Sequence, residues 1–363
     1  MKVMKLECVE EMLLALLRGA LHQRDVETPY FLHATEEDWV RCFRLAVRQG
    51  VSALAWEGIE RLPPENRPPL DVKLSWALSE KKQQKTYRKH CQTVYELTEL
   101  YAQHGIITMV LKGVGLSRLY PVPAHREGGD IDIYTYSADK ACMTDEEANH
   151  LADELMEKEG AYMDEWSYKK HSKFCYKGIT FENHRMFLHE AECKTIAKAE
   201  EWLKKHMATQ GVELLGGEVR IVVPDDAFES VFVALHAAQH YGMGLLLKHL
   251  CDWFVMVQQH GVNFPPELDD LYSKRVVNTL TQLCNKYLGL DIPLKGEEDM
   301  ADEMMSDILH PPYSTNMLAD NSQGTRWLQL KNRIHVFKLK RRLLGVSLGG
   351  KLRGLLVRKI GLK

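Results

Sequence analysis

The chain has 363 residues, 45% hydrophobic and 27% charged, with a formal net charge of −3. These are globular averages, so a disordered or collagen-like chain is excluded, and the length suits two packed domains or one elaborated domain. No apolar run approaches the roughly 20 residues that a membrane-spanning helix needs.

In chain order, residues 1–95 read as a helical region, with helices over 3–21 and 36–61 and another from 72 onward. Pro63-Pro64 and Pro68-Pro69 bracket the loop between the second and third. The pattern over 83–104 predicts a helix that stops at His104-Gly105. Residues 96–225 then alternate strands and helices. Ile106 to Leu111 is a short β-branched and apolar run, the signature of a buried strand. It enters Lys112-Gly113-Val114-Gly115-Leu116-Ser117, a glycine turn that opens a short helix. Such a turn presents backbone N–H groups and a positive dipole end to an anion, and Lys112 adds a point charge suited to phosphate.

Arg126-Glu127-Gly128-Gly129-Asp130-Ile131-Asp132-Ile133-Tyr134 follows. Residues two apart on a strand share a face, so Asp130 and Asp132 project together. Side-by-side carboxylates repel unless a cation neutralises them, and a hard divalent ion that also binds substrate phosphates is the usual partner. By itself the pair also fits a polar strand end after a glycine turn. The order of strand, phosphate-type turn, short helix and Asp-x-Asp strand favours a metal-bound polyphosphate. Thr144 and Glu147 form a capping box at the start of a helix running through Glu159. Ile179-Thr180-Phe181-Glu182-Asn183-His184 alternates, turning Glu182 away from Ile179 and Phe181. Phosphoryl transfer wants a third carboxylate that can also accept the nucleophile's proton, and Glu182 fits, though taken alone it reads better as an ordinary solvent-facing strand glutamate.

Leu111-Lys112-Gly113, Arg126-x-x-Gly129-Asp130-Ile131-Asp132 and Phe181-Glu182-Asn183-His184 together resemble an uncharacterised family of nucleotidyltransferases within the DNA polymerase β-like superfamily. The resemblance covers roughly residues 85–260. It implies an α+β fold, a small mixed sheet of nucleotidyltransferase type flanked by N-terminal and C-terminal helical regions. It also implies Asp130, Asp132 and Glu182 as ligands of Mg²⁺ or Mn²⁺, with Lys112, Gly113 and Gly115 at an NTP triphosphate and Arg126 near the Asp strand. Three features depart from the family pattern. No serine follows Gly113, the gap to Asp130 is long and holds Pro121 and Pro123, and Asn183 stands where a hydrophobic residue is usual.

From Pro224 the pattern is helical to about residue 290, within a C-terminal helical region at 226–320. His236 and His240, at i and i+4, could bind zinc, but no third ligand follows from spacing, and two polar residues lining a cleft is the favoured reading. Lys248 and Asp252 share the same spacing. As an exposed ion pair they would contribute about 0.2–0.5 kcal/mol; the resemblance instead matches them to a recurring pair beside the nucleotide. Eight cysteines are scattered without a Cys-x-x-Cys pair, and the first residues carry an early acid and no signal-type apolar core. Both point to reduced thiols and a cytoplasmic protein.

The tail, residues 321–363, is basic. Twelve of the 47 Lys and Arg lie after Asp320 with no Asp or Glu, so the preceding 320 residues carry a net −15. Leu348, Leu352, Leu355, Leu356, Val357 and Ile360 form an imperfect apolar arc there, broken by Lys359 and Lys363. A membrane surface, nucleic acid or the protein's own acidic body could take it, with internal docking slightly ahead. The resulting reading is a nucleotidyltransferase that moves a nucleoside monophosphate from an NTP to an unidentified acceptor. A catalytically inactive nucleotide-binding protein of the same fold is the alternative, and a metal-dependent phosphohydrolase a third.

Overall fold

The computed structural model describes residues 6–164, 170–189, 193–242, 244–294, 296–311 and 323–347, with the side chains of 323–326 outside that description. Two compact units emerge. One comprises Cys8–Phe187 and His206–Glu229, the other Met1–Glu7, Leu188–Lys205 and Ser230–Lys363.

The first unit is α+β. Helices α1 (Cys8–Leu21), α2 (Glu36–Arg48), α3 (Ser52–Glu60) and α4 (Leu70–Ala102) precede the sheet. The single helix expected over 36–61 is two, because Gly50 at φ +66° breaks it. The helix expected over 83–104 is the distal half of α4, which runs unbroken from Pro69 and ends before Gly105 at φ +72°. The expected border between helical region and catalytic domain, at residues 95/96, falls inside α4.

Seven strands form one mixed sheet in the order β3-β4-β5-β2-β1-β7-β6. They are β1 (Ile106–Val110), β2 (Asp130–Ser137), β3 (Tyr162–Asp164), β4 (His171–Tyr176), β5 (Ile179–His184), β6 (Thr209–Leu214) and β7 (Val219–Pro224), with α5 (Asp145–Lys158) between β2 and β3. β2 pairs antiparallel with β1 and parallel with β5. Period-two alternation decides the faces. Ile131, Ile133, Phe174, Ile179 and Phe181 join Val94, Leu97 and Tyr101 of α4 and Ala148 and Ala152 of α5 in one buried cluster. Asp130, Asp132 and Glu182 therefore point from the opposite face. Thr144 caps α5 as expected, accepting from the Glu147 N–H at 3.2 Å while Glu147 accepts from the Thr144 N–H at 2.8 Å.

Asn183 is fully buried on the helix-covered face. Its Oδ1 accepts from Thr135 and Asn149 at 3.0 Å each, and its Nδ2 donates to Asp153 at 3.0 Å. This departure from the family pattern is thus a satisfied polar bridge between β5, β2 and α5.

The second unit holds α6 (Lys194–Lys205), most of α7 (Asp226–His240), α8 (Leu247–His260), α9 (Leu271–Leu283), α10 (Glu298–Leu309) and α11 (Gln323–Leu344). On α11, Val336, Leu339, Leu343 and Leu344 are buried, as is Val346 beyond it. Val336 and Leu339 lie over Gly242, Arg275 donates to the Arg342 carbonyl at 2.8 Å, and Arg342 pairs with Glu303. Internal docking therefore describes this stretch; residues 348–363, with the remaining leucines of the expected arc, lie outside the described residues. No helix among the described residues is long and apolar enough to cross a membrane.

Two expectations follow. Ending the chain at residue 322 exposes partners of five buried apolar side chains, each worth about 1.5–3 kcal/mol. The thermal midpoint should fall by at least roughly 10 °C; an unchanged midpoint would show α11 to be dispensable.

The second concerns His125, buried between Glu57 (Nδ1 to Oε1, 2.8 Å) and Glu80 (Nε2 to Oε1, 3.0 Å). Burial pulls the imidazole down, but hydrogen bonds to both carboxylates outweigh it and leave the pKa raised. Its stabilisation is then complete below the unfolded value of 6.5 and fades as pH rises through the folded pKa. His125→Ala should cost about 3–5 kcal/mol in mild acid. Urea midpoints of both proteins from about pH 6 to about 9 should show that gap narrowing, and a widening gap would contradict the assignment.

Candidate functional site

The register of β2 and β5 sets Asp132 directly opposite Glu182, with Asp130 opposite Thr180. β4 adds His171 opposite His184 and Lys173 opposite Glu182, on that same face. The three proposed carboxylates thus share one patch of sheet with two histidines that the sequence reading left without a role.

Asp132 is 2% exposed, a buried charge that must be compensated. Lys112 Nζ lies 3.3 Å from its Oδ1 and His184 Nε2 lies 2.9 Å away. Burial pushes this carboxyl up, but the Lys112 ammonium and the His184 hydrogen bond together outweigh it and hold it well below the usual carboxylate range. Glu182 goes the other way. Burial first, then repulsion from Asp132 and Asp130, raise its carboxyl above the ordinary value against the pull of His184 and Lys112. One carboxylate is held ionised and its neighbour made more basic, the division that acid–base sites use. His171 Nε2 and Lys173 Nζ each lie 3.6 Å from Glu182. Burial, with His184 and Lys170 nearby, pushes His171 down to about 4.

The turn after β1 differs from the expected one. Leu116–Leu119 is a single 3-10 turn, too short to sum a helix dipole, and Lys112, paired with Asp132, is the charge that the turn carries. Gly113 takes φ +60°, where a side chain is strained. Gly115 has helical φ and serves close packing instead, since a Cβ there would meet the Val110 carbonyl at 3.1 Å and Val223 at 3.2 Å. Arg118 fixes the turn from below, donating to the Gly115 carbonyl at 2.7 Å and pairing with both oxygens of buried Glu229 at 3.1 and 2.8 Å.

The long segment before Asp130 is stapled to the N-terminal helices. Glu127 accepts from Ser52 Oγ at 2.8 Å and the Ala53 N–H at 2.9 Å, at the start of α3. Gln83 of α4 donates to the Ala124 and Arg126 carbonyls, and His125 sits between Glu57 and Glu80. Arg126 is therefore buried with its Nη1 about where Gly113 and Gly128 leave room, 3.5 and 3.3 Å from their would-be Cβ atoms. A small cavity lined by Tyr87, His90, Gly113, Arg126 and Asp130 opens there.

Lys248 and Asp252 lie on α8, in the second unit. In that unit too, His236 and His240 approach to 3.3 Å between Nε2 atoms, with His249 stacked on His240 at 5.5 Å. Among the described residues one group of three meets metal-ligand spacing, His171, Glu182 and His184, with ligand atoms within 4.8 Å of one another. A divalent ion fits the first unit's patch. Its donors are carboxylate oxygens and imidazole nitrogens, and a cation would offset the Asp132 and Asp130 repulsion that adds to burial in raising Glu182. Period-two reasoning could have flagged His184, two residues past Glu182. His171 is visible only through the β4–β5 register.

A family model described as uncharacterised nucleotidyltransferase matches residues 35–289. No curated protein matches the chain. Among solved structures, the crystal structure of an antigenic nucleotidyltransferase-like protein from Paracoccidioides brasiliensis aligns over 60% of this chain and 95% of its own, at 14% identity and a TM-score of 0.37.

Asp132 supplies a stability test. Its folded pKa lies below the ordinary 3.8, so the stabilisation is present above that value and is lost as pH falls through the folded pKa. Lys112→Met should raise the folded pKa, so the variant is less stable than the unmodified protein near neutral pH and the gap narrows as pH falls below 3.8. Urea midpoints from about pH 3 to about 7 would reveal this; superimposable profiles would mean that Lys112 does not compensate Asp132.

Proposed function

The chain belongs to the family of uncharacterised nucleotidyltransferases, and on that premise we propose that it transfers a nucleoside monophosphate from an NTP to an acceptor hydroxyl or similar nucleophile. The observation that carries this reading is the pairing of Asp132 with Glu182 across parallel strands, with Asp130 two residues away on the same face. Asp130, Asp132 and Glu182 would hold Mg²⁺ or Mn²⁺. When bound, such ions neutralise charge on the phosphoryl oxygens and align the attacking and leaving groups.

The remaining steps belong to the chain's own residues. Lys112, 3.3 Å from Asp132 at the mouth of the Gly113 turn, binds the β- and γ-phosphates as a point charge. Arg126, beside the same turn, offsets further phosphate charge. Glu182, opposite Asp132 on the same face, takes the proton from the acceptor. The acceptor oxygen forms its bond to the α-phosphorus as the bond to the β-phosphate oxygen breaks, and pyrophosphate leaves. Lys248 and Asp252, in the second unit, are assigned no step.

The test is pyrophosphate release from each NTP over a panel of acceptors, with Mg²⁺ or Mn²⁺. Asp132→Asn should lower turnover at least about a hundredfold, the scale of losing a principal electrostatic stabiliser, with urea midpoints measured alongside to separate chemistry from folding. Full activity in Asp132→Asn would place the site elsewhere. Nucleotide binding without turnover in the unmodified protein would favour a binding role, and release with water as the acceptor would favour hydrolysis.

A further inference from the structure

Nitrogen as well as oxygen converges on the proposed ion site. His184 sits one pleat beyond Glu182 on β5, and His171 is its register partner on β4. One donor atom from each of His171, Glu182 and His184 lies within 4.8 Å of the other two, and His184 Nε2 also lies 2.9 Å from Asp132 Oδ1. Three donors from β4 and β5 thus lie together, and Asp132 of neighbouring β2 touches one of them, His184.

The orientation of His184 is the informative part. Its Nδ1 lies 3.0 Å from the Met186 carbonyl, which can only accept, so Nδ1 carries the hydrogen. That leaves Nε2 as the atom turned toward Asp132 Oδ1. Both of these atoms can be metal ligands, and at 2.9 Å they are close enough to contact one ion. An imidazole fixed by an Nδ1–H bond to a backbone carbonyl, with Nε2 aimed at carboxylates, is the arrangement that supporting hydrogen bonds give metal-ligating histidines. His171 adds a second imidazole whose Nδ1 is buried and has no hydrogen-bond partner.

We propose that His184 and His171 are ligands of the divalent ion held by Asp132 and Glu182, so that the site selects a first-row transition-metal ion over Mg²⁺. The proposal rests on the metal-dependent reading of this site and adds its ligand set and selectivity. Imidazole nitrogen suits the transition metals, whereas Mg²⁺ prefers an all-oxygen shell with retained water; Mn²⁺, the weakest binder of the first-row series, is the probe because it is paramagnetic.

The experiment uses the full chain freed of metal with a chelator. Mn²⁺ binding is followed by electron paramagnetic resonance, with Mg²⁺ as competitor, and pulsed measurements detect ¹⁴N coupling to the bound ion. Mn²⁺ should bind at least about tenfold more tightly than Mg²⁺ and show imidazole nitrogen coupling. His184→Gln should weaken Mn²⁺ binding by about 10–100-fold and reduce the coupling, while the less buried His171→Asn removes a second contribution. Bound Mn²⁺ that Asp132→Asn releases but that shows no nitrogen coupling would overturn this inference and leave the carboxylate reading standing. Binding that Asp132→Asn does not affect, coupling that disappears only with His236→Gln, or no binding at all would overturn both. The coupling is read on the unmodified chain, so a variant that fails to fold leaves the test intact.

Discussion

A carboxylate buried at the centre of a sheet dominates this protein. Desolvating Asp132 opposes its charge by several kcal/mol unless cations or hydrogen bonds surround it. The fold supplies both from two directions, Lys112 at the end of β1 and His184 at the end of β5. β2 lies between those strands, so the sheet order itself puts the two partners on either side of the acid. Such a cluster is expensive as a stability device, since well-packed apolar residues are often as stabilising. It keeps one carboxylate ionised beside another, Glu182, that holds its proton more tightly.

The surroundings serve that constraint. Arg118 with Glu229 braces the turn that carries Lys112. The Glu127 and His125 contacts to α3 and α4 fix the segment that delivers Asp130 and Asp132. The N-terminal helices are therefore part of the site's scaffold, in keeping with a family match that begins at residue 35. Pro123, in the long gap before Asp130, opens the short turn that ends at His125.

Much of this was legible in the sequence wherever the signal is local. Gly105 stops α4, Thr144 and Glu147 cap α5, and the alternation of Asp130 to Ile133 assigns the two faces of β2. Two local expectations yielded to stronger local facts: Gly50 splits the helix expected over 36–61, and the short helix after Gly115 is only one turn. What sequence could not supply is register. His171 reaches Glu182 through an antiparallel pairing, and Glu127 finds Ser52 seventy-five residues away. Asn183 looked like a defect in a motif until Thr135, Asn149 and Asp153 were seen to satisfy it. The basic tail hid its apolar stripe for a similar reason, since Val336, Leu339 and Leu343 are scattered among cations and matter only once α11 has a surface to cover.

The central claim is that Asp130, Asp132 and Glu182 form the metal-dependent centre of a nucleotidyltransferase. Its most direct test is a crystal structure with Mn²⁺ and a non-hydrolysable NTP, using anomalous scattering to locate the ion. The account expects an anomalous peak within coordination distance of Asp132 and Glu182, with the triphosphate running past Lys112 and the Gly113 turn. An ion bound instead at the His236–His240 pair, or a nucleotide seated away from Asp132, would contradict it.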